Sequence, residues 1–521
     1  MIFTDLALKF LVLLVSCLAP ASFAAEHLSS EAGKAIQYRM QRALELKKER
    51  NRVCSLDLSR LGLSERTIAE AFSLIPDELG TQTVELILAY NRRLFPGAGE
   101  RVFLDLLPRK FPNLQRLILE GSGRLTAELP LLMAYVEKSQ VTRLYLGECF
   151  LRDESLEVML ANLPALQKLT NLSLRGNSLG DKGTLRLLAI AAQLPKLSHL
   201  NLKETGCTSA ISVALGELVA NPASQLSSFD LSKNRLGDEP LLALIAGLYR
   251  RIKSQPPGPV REEPALSLDF SSTELSSKGA GELFRFLHDC GLNAQELLFE
   301  NNPQIDEQIA EALSVFLENS WHQNSRIVLN LAGCSLGPRA GRLFGKSFAK
   351  NTNIFHLNLD GNPLGQGGLA ILRGFAERET ESLSQSLSLR NCGINFSANP
   401  EIFAFFNEVK EPFDEKNRPS IALDISENIL NFKSLVAMTT MLIKNHQLQR
   451  FSKISFLSCG LAAGSMHYFA DMMEQYRGFG LKSCKYGGQY QNSNCIHADD
   501  RLRIAAALAQ SREERACLRL E

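Results

Sequence analysis

The chain lacks an excess of charge of either sign, because its 57 lysines and arginines nearly balance its 56 aspartates and glutamates. Proteins that bind nucleic acid or anionic membranes by long-range attraction usually carry a strongly basic surface. We therefore expect no nucleic acid as a partner. A membrane would be reached only through an anchor at the N-terminus.

Catalytic and metal-binding motifs are also scarce. Gly345-Lys346-Ser347 resembles the end of a phosphate-binding loop, but the earlier glycine of such a loop is replaced by Ala340. Cys484, Cys495 and His497 fit no common zinc-finger spacing and lack an evident fourth ligand. We therefore predict no catalytic residue, no metal, no cofactor and no small-molecule substrate, and we expect that the protein is not an enzyme.

What the chain has in abundance is the motif Leu-x-x-Leu-x-Leu-x-x-Asn/Cys-x-Leu, which occurs fourteen times. The clearest copy is Leu169, Leu172, Leu174, Asn177 and Leu179. The residues at the fourth motif position are Leu56, Leu86, Leu117, Leu144, Leu172, Leu200, Phe229, Leu268, Leu297, Leu329, Leu357, Leu387, Leu423 and Ile454. Most of them are 27 to 32 residues apart. A repeat of this size cannot bury its apolar face alone, so successive repeats must stack.

One repeat is predicted to be a strand followed by a helix. Leu172-Ser173-Leu174 alternates between inward and outward residues, as a strand requires. The amide of Asn177 can satisfy backbone groups where the strand turns away. We predict a helix that begins near Thr184 and buries the face of Leu185 and Leu188.

The period, the helical second half and the Asn/Cys alternation resemble the ribonuclease-inhibitor-like class of leucine-rich repeats. The resemblance covers roughly residues 50–480. It implies an α/β leucine-rich-repeat solenoid of about 14 repeats, a curved horseshoe with parallel strands on the concave face and helices on the convex face. The class includes ribonuclease inhibitors, innate-immune sensor domains, GTPase-activating proteins and bacterial effectors, so the resemblance is specific for fold and weak for function.

Some repeats depart from this pattern. The repeats that start near Thr83 and Leu114 lack a clean leucine at the eleventh position, and Asn302-Pro303-Gln304 is irregular. We expect these units to be distorted. Two intervals are longer, 39 and 36 residues, and contain the segments 254–259 and 408–419, which we predict to be exposed loops.

The two ends of the chain differ from the repeats. Residues 1–25 contain a short apolar run followed by small residues and are predicted to be a secretory signal peptide. A lipoprotein modified at Cys17 and an uncleaved membrane anchor are the alternatives. Residues 26–50 are predicted to form an N-terminal helical cap, 51–480 the solenoid and 481–521 a C-terminal cap.

Four of the 11 cysteines occupy the ninth motif position: Cys149, Cys334, Cys392 and Cys459. Cysteines two repeats apart should be separated by about 10 Å, which is too far for a disulfide, so we predict buried thiols. Cys484 and Cys495 are the disulfide candidate. Free thiols are typical of reducing compartments, whereas the N-terminus indicates export. The protein is therefore expected to be secreted, periplasmic or at the cell surface with shielded thiols, or to be delivered into a host cell.

A candidate partner surface follows from the residues that point outward from the strands. The fifth position carries Ile87, Ile118 and Tyr145 in successive repeats, and Tyr90 occupies an eighth position. Neighbouring exposed apolar side chains indicate a contact site. A charged rim would surround them, made of Arg116, Arg143, Arg175, Lys203, Glu120, Glu148 and Glu204. The alternative is that the N-terminal helix or an inserted loop covers this patch.

We therefore predict a protein-interaction module that binds a protein partner on the concave face, with an exported bacterial effector as one form that the resemblance allows. Two alternatives stay open. One is a GTPase-activating protein or another regulator of host signalling. The other is a secreted or lipid-anchored surface protein used for adhesion.

Overall fold

The computed structural model describes most of the chain in two compact units, unit 1 (Met1–Thr205) and unit 2 (Gly206–Glu521). The described residues are 31–50, 54–95, 102–254, 265–318, 326–351, 353–378, 385–407, 421–446, 451–476, 481, 483–485 and 496–517. The predicted signal peptide with Cys17, Cys495 and most of the two predicted loops lie outside them. None of the helices within these ranges is long and apolar enough to cross a membrane.

The strands of unit 1 pair in parallel and in chain order. They are β1 (Cys54–Asp57), β2 (Thr83–Ile87), β3 (Arg116–Ile118), β4 (Arg143–Tyr145), β5 (Asn171–Ser173) and β6 (His199–Asn201). Fourth-position leucines are register partners, Leu86 with Leu117 and Leu117 with Leu144. Each motif position therefore forms a column across the sheet.

Helices alternate with these strands. They are α1 (Glu31–Arg50), α2 (Glu65–Ser73), α3 (Asp77–Gln82), α4 (Val102–Lys110), α5 (Leu129–Lys138), α6 (Asp153–Ala161), α7 (Leu163–Leu166) and α8 (Gly180–Ala191). Helix α1 packs against β1, where the Arg39 guanidinium donates to the Ser59 carbonyl at 2.8 Å and to the Asp57 carboxylate at 3.2 Å.

Unit 2 repeats the same arrangement, with parallel strands in chain order. They are β7 (Ser228–Asp230), β8 (Leu266–Asp269), β9 (Ala294–Leu298), β10 (Ile327–Asn330), β11 (Ile354–Asn358), β12 (Gln385–Ser388), β13 (Ile421–Asp424), β14 (Phe451–Ser455) and β15 (Ser483–Lys485). Its helices are α9 (Ser212–Ala220), α10 (Glu239–Lys253), α11 (Ser277–Cys290), α12 (Ala310–Glu318), α13 (Pro338–Lys350), α14 (Gly367–Glu377), α15 (Phe432–His446), α16 (Ala463–Gln475) and α17 (Ala498–Cys517). Short 3-10 helices, such as Pro400–Asn407, replace or precede some of them.

The predicted α/β leucine-rich-repeat solenoid of about 14 repeats is confirmed by these parallel strands and intervening helices. One more strand is present than the fourteen motifs indicate, because Cys484 of β15 pairs with Ile454 of β14 and continues the column of inward residues. The predicted C-terminal cap, residues 481–521, thus contains a strand as well as α17. Arg503 of α17 donates to the Asp471 carboxylate of α16 at 2.7 Å.

The buried face of the helix in the clearest repeat includes Leu188, as predicted, but not Leu185. Helix α8 begins at Gly180, and its buried residues include Thr184, Leu187 and Leu188, whereas Leu185 is 38% exposed. The prediction failed at Leu185 because apolar residues occur on both faces of this helix. The start of the helix is held by the next repeat, because the Gly180 N–H donates to the Thr205 carbonyl at 3.0 Å.

The ninth motif position ties successive repeats together. Asn177 Oδ1 accepts from the backbone N–H groups of Cys149 and Leu151, each at 3.0 Å, and its Nδ2 donates to the carbonyls of Leu146 and Leu174, each at 2.8 Å. One amide thus satisfies four buried backbone groups in two repeats. The irregularity expected at Asn302 is not found at this position, since Asn302 makes the same four contacts in its own repeats.

The four ninth-position cysteines are buried, as predicted. None is paired with another cysteine in the described part of the chain. The Cys149 thiol donates to the Leu119 carbonyl at 3.1 Å, and burial raises the pKa of Cys149 to about 12. Burial likewise raises the pKa of Cys334, Cys392 and Cys459 to about 12. Cys484 is half-buried, and its predicted bridge to Cys495 falls outside the described residues.

Candidate functional site

The predicted partner surface lies on the outward side of strands β2 to β4 in unit 1. Ile87 is the register partner of Ile118, and Ile118 is the register partner of Tyr145. All three side chains are half-buried. The structure therefore brings these apolar side chains into one column, which we name the fifth-position column (Ile87, Ile118, Tyr145).

The fifth position has a structural role in other repeats that these three side chains cannot fill. In seven repeats its side-chain oxygen accepts a hydrogen bond from the backbone N–H two residues later, at 2.8 to 3.1 Å. These residues are Asp57, Asn201, Asp230, Asp269, Asn330, Asn358 and Asp424. Ile87, Ile118 and Tyr145 have no acceptor for this bond, so the requirements of the turn do not explain them.

Tyr90 stands beside the column in a left-handed backbone conformation, with φ 61°. Its hydroxyl accepts from Arg175 Nη2 at 2.9 Å and donates to Glu148 Oε1 at 3.3 Å. The Arg60 guanidinium carbon lies 4.7 Å from its ring centroid, a cation–π distance. The backbone takes the same conformation at the eighth position of all fourteen repeats, with φ between 52° and 72°, and the sequence did not reveal it because ten of those residues are not glycine.

Arg175 is the centre of an ion-pair network at the same surface. Its Nη2 lies 2.8 Å from Glu120 Oε2 and 3.1 Å from Glu148 Oε1. The hydrogen bond with Glu120 is the main cause that raises the pKa of Arg175 above its ordinary value. The three residues come from successive repeats, and the strand spacing of about 4.8 Å lets their side chains meet. We name this group the Arg175 network (Tyr90, Glu120, Glu148, Arg175).

The remaining predicted rim residues are divided between paired and exposed positions. Arg116 forms an ion pair with Glu85 at 3.1 Å, and its guanidinium carbon lies 4.8 Å from the Tyr145 ring centroid. Arg143 is exposed on β4. Lys203 is half-buried and Glu204 exposed, both in the last repeat of unit 1. Lys203 and Glu204 lie in the turn that follows β6.

The structure adds to the predicted apolar centre and charged rim the pairing of most of the charged side chains. Arg116 packs on Tyr145, and the carboxylates of Glu120 and Glu148 are held by Arg175. The surface is an aromatic and guanidinium network with paired charges. Sequence spacing placed these residues together but could not give their pairing, because that depends on the rotamers of long side chains.

An open cleft of about 810 Å³ adjoins this surface within unit 1. Four arginines line it, namely Arg66, Arg92, Arg93 and Arg124. Tyr90 and Glu148 of the Arg175 network line it as well, together with the ring of Phe150. We name this feature the arginine cleft. The sequence prediction did not include its arginines or Phe150.

A signal for the arginine cleft was present in the sequence and was interpreted as distortion. Arg93 and Arg124 occupy the eleventh position in the two repeats that lack a leucine there, and both are exposed. Leu94 and Leu125, one residue later, are fully buried in their place. The turn in each of these two repeats is therefore one residue longer than in most of the other repeats, and the core still contains a leucine. The additional residue places an arginine at the surface.

Two short motifs with catalytic associations have structural explanations. Gly345-Lys346-Ser347 lies inside helix α13, where the Ser347 hydroxyl donates to Glu318 at 3.0 Å. The segment 176–180 has the Gly-x-Ser-x-Gly spacing of hydrolase nucleophiles, but it is the turn that holds Asn177, and Ser178 is simply exposed on it. Among the described residues, no group of three or more His, Cys, Asp or Glu could hold a metal ion.

The chain is similar to known proteins over part of its length. No model of a known protein family matches it. The ribonuclease inhibitor of Mus musculus is 27% identical over 293 residues, which cover 56% of this chain and 60% of the inhibitor. That of Sus scrofa is 29% identical over 254 residues, which cover 48% of this chain and 51% of the inhibitor. The chain thus spans between half and two thirds of these relatives.

Among solved structures, an internalin from Listeria monocytogenes is 17% identical with a TM-score of 0.38, covering 70% of this chain and 87% of the internalin. The inhibitor matches, the repeat motif and the parallel strands together confirm the resemblance to ribonuclease-inhibitor-like leucine-rich repeats.

Proposed function

We propose that this ribonuclease-inhibitor-like leucine-rich-repeat chain is a protein-binding module whose partner contacts the outward side of β2 to β4 in unit 1. The fifth-position column carries the proposal. Seven repeats keep an Asp or Asn at this position for a local hydrogen bond, whereas three successive repeats carry apolar side chains in register. A contiguous apolar group on a strand face is what a binding surface needs.

The polar side chains beside the column are held in place before a partner arrives. Arg175 is fixed by Glu120, Glu148 and the Tyr90 hydroxyl. The Tyr145 ring is packed under Arg116. Side chains already held in one geometry lose little conformational entropy on binding, which favours affinity. Tyrosine and arginine are also the residue types most often found at binding hot spots.

Recognition by this surface needs no catalytic step, and we propose that the protein acts as a binder. The matched relatives are named ribonuclease inhibitors, so a ribonuclease is the first partner to test. A partner isolated from the natural source would be the next.

The test is the affinity of the full chain for such a partner, measured by calorimetry on three variants. Ile118→Ala and Tyr145→Ala are each expected to weaken binding by about tenfold or more and to leave the thermal unfolding temperature nearly unchanged. Leu185→Ala is the matched control, because Leu185 is an exposed leucine on helix α8 of the same unit. An equal loss of affinity in all three variants, or no loss of affinity in the first two, would overturn the proposal.

We also propose that residues 1–25 direct export of the protein. The apolar run and the small residues near Ala24 support this. The intact mass of protein from its natural source, with and without thiol alkylation, tests it. Loss of the chain up to about Ala24 is expected, and an intact N-terminus would contradict it. In a processed chain, a Cys484–Cys495 bridge would indicate an oxidising compartment, and free thiols would indicate action in a reducing one.

A further inference from the structure

We infer that the arginine cleft of unit 1 binds an acidic segment of a protein partner and holds an apolar side chain of that segment against Phe150. The inference rests on the proposed binding of a protein to unit 1, but it uses residues outside the fifth-position column. It is argued from charge, from the register of two repeats and from the backbone at Phe150.

Among the described residues that line the arginine cleft, positive side chains outnumber negative ones, with four arginines and two glutamates. Arg66, Arg92, Arg93 and Arg124 are all exposed. Within the described residues no carboxylate pairs with any of the four, in contrast to Arg116 and Arg175 nearby, which are both paired. Like charges gathered in one cleft repel one another, and a carboxylate matches the planar fork of a guanidinium group. An acidic ligand would therefore relieve the repulsion and form strong hydrogen bonds.

The exposed arginines are additions that the repeat fold does not require. Arg93 and Arg124 stand at the eleventh position, while Leu94 and Leu125 fill the core one residue later. The Arg124 backbone N–H donates to the Phe95 carbonyl at 3.0 Å, so the longer turn is held by its main chain. The two guanidinium groups make no contribution to the buried core, which leaves them for the surface of the cleft.

Phe150 occupies a position with a left-handed backbone conformation, for which glycine is the usual residue. It lies at the tenth motif position, has φ 59° and is 62% exposed. Five other repeats have glycine with positive φ at this position, namely Gly62, Gly123, Gly206, Gly393 and Gly460. A left-handed conformation is unfavourable for a bulky residue and natural for glycine. Phenylalanine therefore costs stability here and gives the cleft an apolar wall, which suggests a binding role.

The acidic groups of the cleft favour a peptide over a nucleic acid. Glu65 and Glu148 line it alongside the arginines, and Glu65 is buried with its carboxylate accepting from the Phe103 backbone N–H at 3.1 Å. Every unit of a nucleic-acid backbone carries a negative charge, so a strand that follows the cleft would bring phosphates close to the Glu148 carboxylate, whereas the carboxylates of a peptide can be spaced to avoid it. A peptide can place carboxylates opposite the arginines and an apolar residue opposite Phe150, whose ring is 5.8 Å from the Arg124 guanidinium carbon.

The experiment uses the full chain and a fluorescein-labelled peptide in which glutamates alternate with serines on both sides of one phenylalanine, titrated by anisotropy. The comparison probes are the same peptide with alanine in place of phenylalanine, and a single-stranded DNA of matched charge. We expect the phenylalanine peptide to bind most tightly. No binding of this peptide, or tighter binding of the DNA, would overturn the inference.

Charge-reversed variants locate the binding. The double variant Arg93→Glu with Arg124→Glu is expected to raise the Kd by about tenfold or more. Arg235→Glu is the matched control, because Arg235 is exposed at the tenth position of a turn in unit 2, and it should change the Kd by less than about twofold. Equal effects of the two substitutions would mean attraction to net charge alone and would overturn the inference.

Phe150→Gly separates binding from folding. It should weaken the binding of the phenylalanine peptide until its Kd equals that of the alanine peptide, while the unfolding temperature stays the same or rises. Unchanged affinity would remove Phe150 from the site and contradict the inference. Ile118→Ala should leave the Kd for the peptide unchanged, so a failure of the proposed partner surface and a failure of the arginine cleft give different results.

Discussion

Single residues at the ninth motif position hold the repeats together, and Asn177 shows how. Its amide forms four hydrogen bonds to backbone groups of two repeats, from 2.8 to 3.0 Å, and is fully buried. Alanine would leave those groups without partners and without access to water. The cost of a single unsatisfied buried group is about 1–3 kcal/mol.

We predict that Asn177→Ala lowers the free energy of unfolding by about 3 kcal/mol or more. Denaturation in urea, followed by circular dichroism, measures it. Ser178→Ala is the control, because Ser178 is the exposed neighbour on the same turn, and its effect should stay within about 0.5 kcal/mol. A loss at Asn177 no larger than that at Ser178 would show that the amide bonds contribute little.

Sequence reasoning succeeded at residues whose environment is set by the repeat itself. The inward leucines and the ninth-position Asn and Cys were assigned correctly because each column has one environment. The column of Ile87, Ile118 and Tyr145 followed from the same register. The arginine cleft was missed because Arg93 and Arg124 stand where the motif has a leucine. The sequence alone does not show that the leucine one residue later fills the core in their place.

Helices approach each other closely where small residues allow it, and α13 and α14 of unit 2 are the clearest pair. A Cβ atom at Gly374 would lie 2.0 Å from the Gly345 carbonyl oxygen, and one at Gly345 would lie 2.2 Å from the Ala370 carbonyl oxygen. These distances are far below van der Waals contact, and the atoms involved are backbone. The two helices would have to move apart to admit a methyl group.

We predict that Gly374→Ala destabilises the protein by about 1–3 kcal/mol, although alanine favours helix over glycine by up to about 1 kcal/mol. Gly464→Ala is the matched control in α16, where an added Cβ meets nothing within 4 Å. That change should stabilise by about 0.4–1 kcal/mol. Urea denaturation of both variants measures these changes in the free energy of unfolding. Stabilisation by Gly374→Ala would contradict the close approach of α13 and α14.

At the element scale the sequence predicted that helices follow strands, but not which helix face is buried. Helix α8 has apolar residues on two faces, and Leu185 proved exposed while Leu187 is buried. The turn from Asn177 to Gly180, which precedes this helix, is hydrogen-bonded to the next repeat at Thr205. Such turns depend on the neighbouring repeat, which a single-repeat pattern does not contain.

Across the whole molecule the two units are built from the same repeat motif but differ in the residues at the outward strand positions. In unit 2 most fifth-position residues are polar, and Asp230, Asp269 and Asp424 serve their own turns through hydrogen bonds of 2.9 to 3.1 Å. In unit 1 three successive repeats carry Ile87, Ile118 and Tyr145 at this position, whereas its other three repeats carry polar residues. Because positive and negative residues nearly balance, the recognition that we propose would depend on such local groups rather than on net charge.

The most direct test of a partner on the unit 1 strands is hydroxyl-radical footprinting of the full chain, free and in complex with its partner. Oxidation of Tyr145 is expected to fall several-fold in the complex. Tyr249, which is 47% exposed on α10 of unit 2, serves as the internal reference and should be oxidised at the same rate in both states. Protection of Tyr145 alone would support the proposed surface, and an unchanged oxidation rate of Tyr145 in a saturated complex would contradict it.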